Sequence, residues 1–236
     1  KEYFTTLKKT LFMDELLDKH IRIMDKYDPS NRVGLIVDEW GNWHDVEPGT
    51  NPGFLYQQNT LRDAMVASVN LDLFNNYARR VKMANIAQTV NVLQAMILTK
   101  DDKIVKTPSF YVFKMYKVHH DATLLPSEVF SENYTIDNET IPALSASASK
   151  DASGKIHITI SNLNPNKKLE VSCDLRGVEK VSFGKGSIVT GEKINSYNDF
   201  GKNEEVSLKD FSDVKVTGNK VTVQIPAKSV IMLELN

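Results

Sequence analysis

The sequence predicts an α/β segment followed by an all-β segment, and three observations carry that class. Five uncharged residues, Val33-Gly34-Leu35-Ile36-Val37, follow a helical stretch and a short turn, which is one αβ step of a parallel fold. Composition changes after Pro126, where short runs rich in Val, Ile, Ser and Thr alternate with turn signals such as Thr217-Gly218-Asn219. Two of those runs, Ile156-His157-Ile158-Thr159-Ile160 and Val221-Thr222-Val223-Gln224-Ile225, alternate with period two, one face apolar and one polar.

Taken in order, Thr5 to Tyr27 reads as a helix, with Leu7, Leu11, Leu16, Ile23 and Tyr27 near helical spacing. Asp28-Pro29 ends it, because the residue before a proline is pushed out of the α region. The run Val33 to Val37 has no polar face and reads as a strand buried on both sides. His44 to Tyr56 contains two Pro and two Gly and forms a loop. Asn59 to Arg80 is a second helix, its apolar stripe Leu61, Met65, Val69, Leu73 and Phe74, with Arg62, Asp63, Asp72 and Arg79 elsewhere. Lys8-Lys9 and Arg79-Arg80 are solvated helix positions in this reading. Met83 to Leu98 is apolar with a polar residue every third position, a period that allows a helix. Ser109 to His119 is a third helix after Pro108. The remainder suits a β-sandwich or jelly roll, with the boundary near residues 120–128, so that the two parts are 1–122 and 123–236.

Composition excludes several classes of partner. Lys and Arg number 29 against 30 Asp and Glu, so no charge field points to nucleic acid or an anionic membrane surface. No apolar run approaches membrane-spanning length. The single cysteine, Cys173, cannot form an intramolecular disulfide, leaves the compartment open, and reads as a small buried hydrophobe in a strand. His119-His120 is adjacent rather than at a spacing that converges on one helix face, so it reads as a surface pair at the domain junction and not a metal site. No phosphate-cradling glycine loop is present, and no cofactor is implied.

The chemistry concentrates at Asp38-Glu39, between the buried run and Trp40-Gly41-Asn42-Trp43. A carboxylate at the end of a buried strand carries a desolvation cost, and the C-terminal ends of parallel strands are where active sites are built. The alternative is an acidic pair that merely opens a solvated loop. Neighbours on a strand point to opposite faces, so Asp38 and Glu39 are not expected to work as a pair.

Three blocks in order, VDEWGNW at 37–43, MANIAQTVNVLQAMILT at 83–99 and TPSFYVFKMYKVHHDATLLP at 107–126, resemble the α-L-arabinofuranosidases of glycoside hydrolase family 51. The resemblance is close over the first half of the chain and is only a β-rich pattern over the second. It implies the last two strands and helices of a (β/α)₈ barrel followed by a C-terminal β-sandwich, with a barrel strand rather than a helix in the Met83 block. It further implies retaining cleavage of terminal α-L-arabinofuranosyl residues from arabinose-containing polysaccharides. Glu39 would be the nucleophile, Trp43 a wall of the sugar site and Gln88 an amide on the sugar hydroxyls. Trp43 could instead fill a gap beneath the loop, and Gln88 could equally satisfy buried backbone groups. Trp40 and Asn42 read as structural, and His44 has no motif behind it.

The resemblance also implies an acid/base Glu after an Asn on an earlier strand, and no such motif precedes residue 39. The carboxylates there, apart from Glu2 and Asp38, lie on or at the end of the first helix, where a solvated face accounts for them. Asn203-Glu204 lies in the β segment. A (β/α)₈ barrel takes about 250 residues, and residues 1–122 cover less than half of that. The expectation is a C-terminal portion that lacks its acid/base and has little activity alone. Unpaired strand edges would then pair with a second copy or with the missing barrel portion. The rival reading is a non-catalytic polysaccharide-binding β module, for which only Phe183, Tyr197, Phe200 and Phe211 supply aromatics.

Overall fold

A computed structural model describes residues 1–236. Two helices, α1 (Glu2–Thr10) and α2 (Phe12–Tyr27), stand where the sequence suggests one, with the break at Leu11. Tyr3, Phe4 and Leu7 of α1 are buried, and Phe4 meets the edge of the Tyr134 ring at 5.2 Å. On α2 the expected stripe is displaced. Leu17 and Ile21 face inward while Leu16, Ile23 and Tyr27 are exposed, because only one side of this helix has anything to pack against.

The strand β1 (Leu35–Trp40) begins two residues later than expected and pairs in parallel with β2 (Val81–Ile86), and these two make the whole of their sheet. The Met83 block is therefore a strand only to Ile86, not a helix, and continues as an irregular loop. The expectation of burial on both faces fails. Leu35, Val37 and Ala84 lean on the core, but Ile36 and Met83 on the other face are 44% and 55% exposed. The covered face meets α3 (Leu61–Asn76) and α4 (Pro108–Tyr116). Trp40 stacks on Phe113 at 5.9 Å and takes the edge of Phe74 at 5.5 Å, which makes it a core residue. A hairpin of β3 (Ile97–Lys100) and β4 (Lys103–Lys106), turning through Asp101 at φ 54°, lies between β2 and α4 and has no counterpart in the sequence reading.

Arg80 corrects the reading of Arg79-Arg80 as solvated. Its side chain is fully buried at the start of β2, donating to Asp28 Oδ2 at 2.8 Å, to the Val33 and Asp28 carbonyls at 2.9 Å each and to Asp25. Asp28 also accepts from the Val33 N–H, and the Val33 and Arg80 contacts hold its carboxyl down at about 2. The carboxylates at the end of α2 are thus not a free solvated face. They receive the guanidinium that ties α2 to both strands, since a buried cation is tolerated only when paired and hydrogen-bonded.

From Thr123 onward every strand pairing is antiparallel. Strands β5 (Thr123–Leu124), β8 (Leu144–Lys150), β9 (Ile156–Asn162), β11 (Phe183–Thr190), β12 (Leu208–Asp210) and β15 (Ser229–Leu235) form one sheet in the order β12-β11-β15-β9-β8-β5. Strands β10 (Leu169–Asp174), β13 (Val214–Thr217) and β14 (Lys220–Ile225) form a second, ordered β10-β14-β13, and β6 (Asn133–Ile136) and β7 (Glu139–Pro142) a hairpin. Cys173 is half-buried on β10, and burial pushes its thiol up to about 11. One continuous core runs from Tyr3, Met65 and Val112 to Ile160, Val223 and Leu233, so the helices and the β-sheets share it.

That sharing overturns the expected solvent face of β9. Every residue of β9 is buried: its isoleucines enter the core, Thr159 and Ser161 bond to α3, His157 meets Glu234 of β15, and Asn162 donates to the Lys167, Ile225 and Pro226 carbonyls. Ser161 Oγ meets Ser68 Oγ at 2.9 Å, and Asn75 Nδ2 donates to Ser147 Oγ at 3.0 Å. Between them sits Asp72, with no exposure, accepting from Tyr116 Oη and Ser145 Oγ at 2.8 Å, Ser147 Oγ at 2.9 Å and Thr159 Oγ1 at 3.0 Å. Burial pushes the Asp72 carboxyl up to about 6 despite those four hydroxyls. His119 is drawn into the same layer, bonded to Ser149 and Thr159, and burial lowers it to about 4. It is half-buried between helix and sheet and not a surface residue, whereas His120 beside it is exposed.

The Asp72 position gives a signed prediction. An unfolded carboxyl releases its proton near 3.8, whereas folded Asp72 holds its own to about 6, so the folded state loses stability as pH rises between those values and no more above them. A difference of this size is worth about 3 kcal/mol. Urea unfolding of Asp72→Asn beside the parent is expected to shift in favour of the variant by about 3 kcal/mol from about pH 4 to about pH 7. A pH-independent difference would show that Asp72 ionises as freely folded as unfolded.

Candidate active site

Glu39 owes its direction to a fault in strand pairing. Val37 faces Ala84 and Trp40 faces Ile86, three steps on β1 against two on β2. The extra residue lets both Val37 and Trp40 face the helices, although alternation would put them on opposite sides. Asp38 and Glu39 between them are both exposed. The alternation argument that separated Asp38 from Glu39 therefore fails here, as bulges re-aim side chains in this way. Neither carboxylate makes a hydrogen bond or ion pair with another residue.

The strand end is drawn against its neighbour. Ala87 N–H donates to the Trp40 carbonyl at 2.8 Å, and Gly41 at φ 150° lies where a Cβ would come 3.0 Å from the Ala87 oxygen. Only glycine fits that approach without displacing the neighbouring backbone. Gln88 follows at once, across a cis Ala87–Gln88 peptide, with its side-chain amide exposed and bonded to no other residue. It does not satisfy buried backbone groups. Its own carbonyl accepts from Met96 N–H at 3.3 Å.

Trp43 is 68% exposed, so it does not fill a gap beneath the loop. The residues on either side of it are fixed. Asn42 Nδ2 donates to Asp63 Oδ1 at 2.7 Å, His44 N–H donates to Gln57 Oε1 at 2.8 Å, and His44 Nε2 lies 3.6 Å from the same Asp63 oxygen. Asp63 is buried at the first turn of α3, where it closes a capping box with Thr60. Burial pushes its carboxyl up, but His44, Arg62, the Thr60 N–H and Asn42 together outweigh that and hold it below the ordinary range. The loop after β2 is sewn to this one: Gln94 Nε2 donates to Gln57 Oε1, and Asn59 Nδ2 donates to the Gln94 carbonyl at 2.9 Å.

The structure thus brings Glu39, Trp43 and Gln88 to the C-terminal ends of two adjacent parallel strands, all three exposed. Asp63 and Gln57, which fix the loop, escape sequence reasoning. A helix N-cap signal, Thr60 followed by Asp63, was the available cue. Glu204 is not free in the β segment either, since it accepts from Tyr111 Oη at 2.6 Å. Phe183, Tyr197, Phe200 and Phe211 are all half-buried and make no exposed aromatic row.

A family model described as the α-L-arabinofuranosidase C-terminal domain matches residues 38–229, beginning at Asp38. The chain belongs to that family. It is 50% identical over 235 residues to an intracellular exo-α-L-arabinofuranosidase of Bacteroides ovatus, covering 99% of this chain and 46% of that protein. Its structure is similar to the GH51 arabinofuranosidase of Xanthomonas axonopodis pv. citri, with a TM-score of 0.96 at 47% identity over 99% of this chain and 47% of that one. The arabinofuranosidase of Thermotoga maritima shares the fold, with a TM-score of 0.81 at 22% identity over 98% of this chain and 49% of that one. The chain spans about half the length of those relatives. The resemblance carried by VDEWGNW and its two companion blocks is upheld.

The clamp around Trp43 is open to test, because the domain has only two tryptophans, one buried and one exposed. Asp63→Ala removes both the cap and the loop anchor and is expected to cost roughly 1–2 kcal/mol. In a proton–nitrogen NMR spectrum the Trp43 indole signal should shift and sharpen while that of Trp40 stays in place. Two unmoved indole signals would mean that Asp63 does not hold the loop.

Proposed function

We propose that this chain supplies the nucleophile-bearing part of a retaining α-L-arabinofuranosidase. Glu39 attacks the anomeric carbon of a terminal α-L-arabinofuranosyl unit on an arabinose-containing polysaccharide. Trp43 walls the sugar, and Gln88 hydrogen-bonds its hydroxyls. The observation that carries this reading is the bulge that turns Glu39 to the open side of β1, at the same strand ends as Gln88 and Trp43. Active sites of parallel barrels sit at those ends.

In this reading β1 and β2, with the helices around them in residues 1–122, are the last part of a (β/α)₈ barrel, and residues 123–236 are a C-terminal β-sandwich. Retaining cleavage needs a second carboxyl group roughly 5–5.5 Å from the first, to protonate the leaving oxygen and then activate water. None of the carboxylates before Glu39 suits that role. Glu2 opens α1, those of α2 lie on or at the end of that helix, two of them occupied by Arg80, and Asp38 adjoins the nucleophile itself. The acid/base therefore comes from barrel residues outside these 236. The same residues cover Ile36, Met83 and the free edges of the two-stranded sheet, or else a second copy of the chain does.

Alone, the chain is expected to leave unactivated arabinosides intact, since losing acid assistance costs about 10²–10⁴-fold. In the assembled enzyme Glu39→Gln is expected to lower kcat by at least about 10³-fold with folding unchanged, because it removes the group that forms the covalent intermediate. Steady-state turnover of an aryl arabinofuranoside measures it. Wild-type turnover in that variant would remove Glu39 from the reaction.

A further inference from the structure

Two donors at the start of α3 are satisfied from the β part of the chain. The first four N–H groups of a helix have no partner inside it. Asp63 and Ala64 N–H turn back to the Thr60 carbonyl at 2.9 and 3.2 Å. Leu61 N–H donates instead to the Ser196 carbonyl at 2.9 Å, and Arg62 N–H to the Ile194 carbonyl at 2.8 Å. Leu61 is fully buried, so water cannot stand in for the lost partner of its N–H.

Ile194 and Ser196 lie on the long loop between β11 and β12, residues 191–207. One side chain sets its shape. Asn198, 1% exposed, accepts from Val206 N–H at 2.9 Å and donates to the Val206 carbonyl at 2.7 Å and the Lys106 carbonyl at 2.8 Å. The two Val206 contacts close the loop on itself, and the third ties it to the end of β4. Further along, Phe200 packs on the small cluster of Ala95, Leu98 and Val105, and so does Tyr56 from the loop that carries Trp43. Glu204 reaches Tyr111 on α4.

We propose that this loop is a positioning element for the catalytic site, with Asn198 holding it in shape. Ile194 and Ser196 fix the first turn of α3, Asp63 in that turn holds Asn42 and His44, and Trp43 between them is thereby kept at the strand ends. None of the loop residues is placed at the reacting atoms. The inference rests on the glycosidase reading of Trp43 and extends it to the β-sheets, which would otherwise serve only as packing. Glu39 is aimed separately, by the bulge in β1 and the packing of Trp40. Disturbing the loop therefore changes how the sugar is held and not the carboxylate that attacks it.

In the 236-residue chain, Asn198→Ala is expected to shift and sharpen the Trp43 indole NMR signal while Trp40 stays in place. Asn219→Ala removes a comparable clip, to the Leu175 carbonyl at 3.0 Å, at the turn between β13 and β14, and should move neither signal. Should Asn198→Ala fail to fold, Phe200→Ala, at a half-buried position, is read in its place with the same expected direction. In the assembled enzyme the folded variant is expected to raise KM for an aryl arabinofuranoside about fivefold, the effect of one lost hydrogen bond, with kcat held within about twofold. A role in folding alone would lower the active fraction, and with it kcat, at an unchanged KM. The proposal is overturned by an unmoved Trp43 signal in the folded variant, by an equal shift in Asn219→Ala, or by a lower kcat at unchanged KM. Turnover surviving in Glu39→Gln would sink the catalytic reading and leave the indole result standing. An unmoved Trp43 would leave Glu39 untouched.

Discussion

A helix buried on nearly every side has nowhere to send a charge, and α3 carries two buried carboxylates. Asp63 stands in its first turn and Asp72 nine residues on, both shut away from solvent. Each must be satisfied inside the protein, and each does so by holding a different neighbour. Asp63 holds Asn42 and His44 on the loop that carries Trp43, while Asp72 gathers hydroxyls from α4, β8 and β9. The two differ in surroundings. Asp63 faces a guanidinium and an imidazole and is kept ionised, whereas Asp72 meets only neutral hydroxyls and is pushed toward its protonated form. The helix therefore links the proposed catalytic loop to the β-sheets through polar groups as well as through apolar packing.

This arrangement explains why amphipathic reasoning succeeded for some elements and failed for others. The motif blocks, the change of composition after Pro126 and the alternation in β14 were legible, because each depends on local pattern. The stripe on α2 was misread because the pattern of apolar residues does not say which face has a neighbour. Arg80 was read as solvated because nothing local distinguishes it from Arg79, yet it is Arg80 that the chain folds inward onto Asp25 and Asp28. His119 and the polar residues of β9 were assigned to solvent for the same reason. Serine, threonine and histidine on one strand face look like a wet surface until another element supplies matching hydroxyls and carboxylates.

The site shows the same division between local and global signals. Glu39 could be singled out from the buried run that precedes it as well as from the resemblance, whereas Gln88, and the strand before it in place of a helix, came from the resemblance alone. Their relative aim could not. It depends on one extra residue in β1 between Val37 and Trp40, and the cause lies in what Trp40 packs against. The stack on Phe113 and the edge of Phe74 require the indole on the helical side. With Val37 also on that side, both intervening carboxylates are turned outward. Core packing of a tryptophan thus sets the direction of the carboxylate beside it.

The two surfaces of the β1–β2 pair differ in what they can face. On the helical side the core runs without interruption into the β-sheets, so the scaffold behind the strand ends is held by packing at a distance. On the other side Ile36 and Met83 are exposed near the strand starts, whereas Asp38, Glu39, Asn85 and Gln88 occupy the strand ends. The apolar residues ask for protein to cover them, and the polar ones tolerate water or a ligand. A cover that seals the first group and leaves the second open would form a floor beneath the carboxylate and not a lid over it. In the proposed function such a floor leaves the strand ends open for a sugar to approach Glu39, with Trp43 standing to one side.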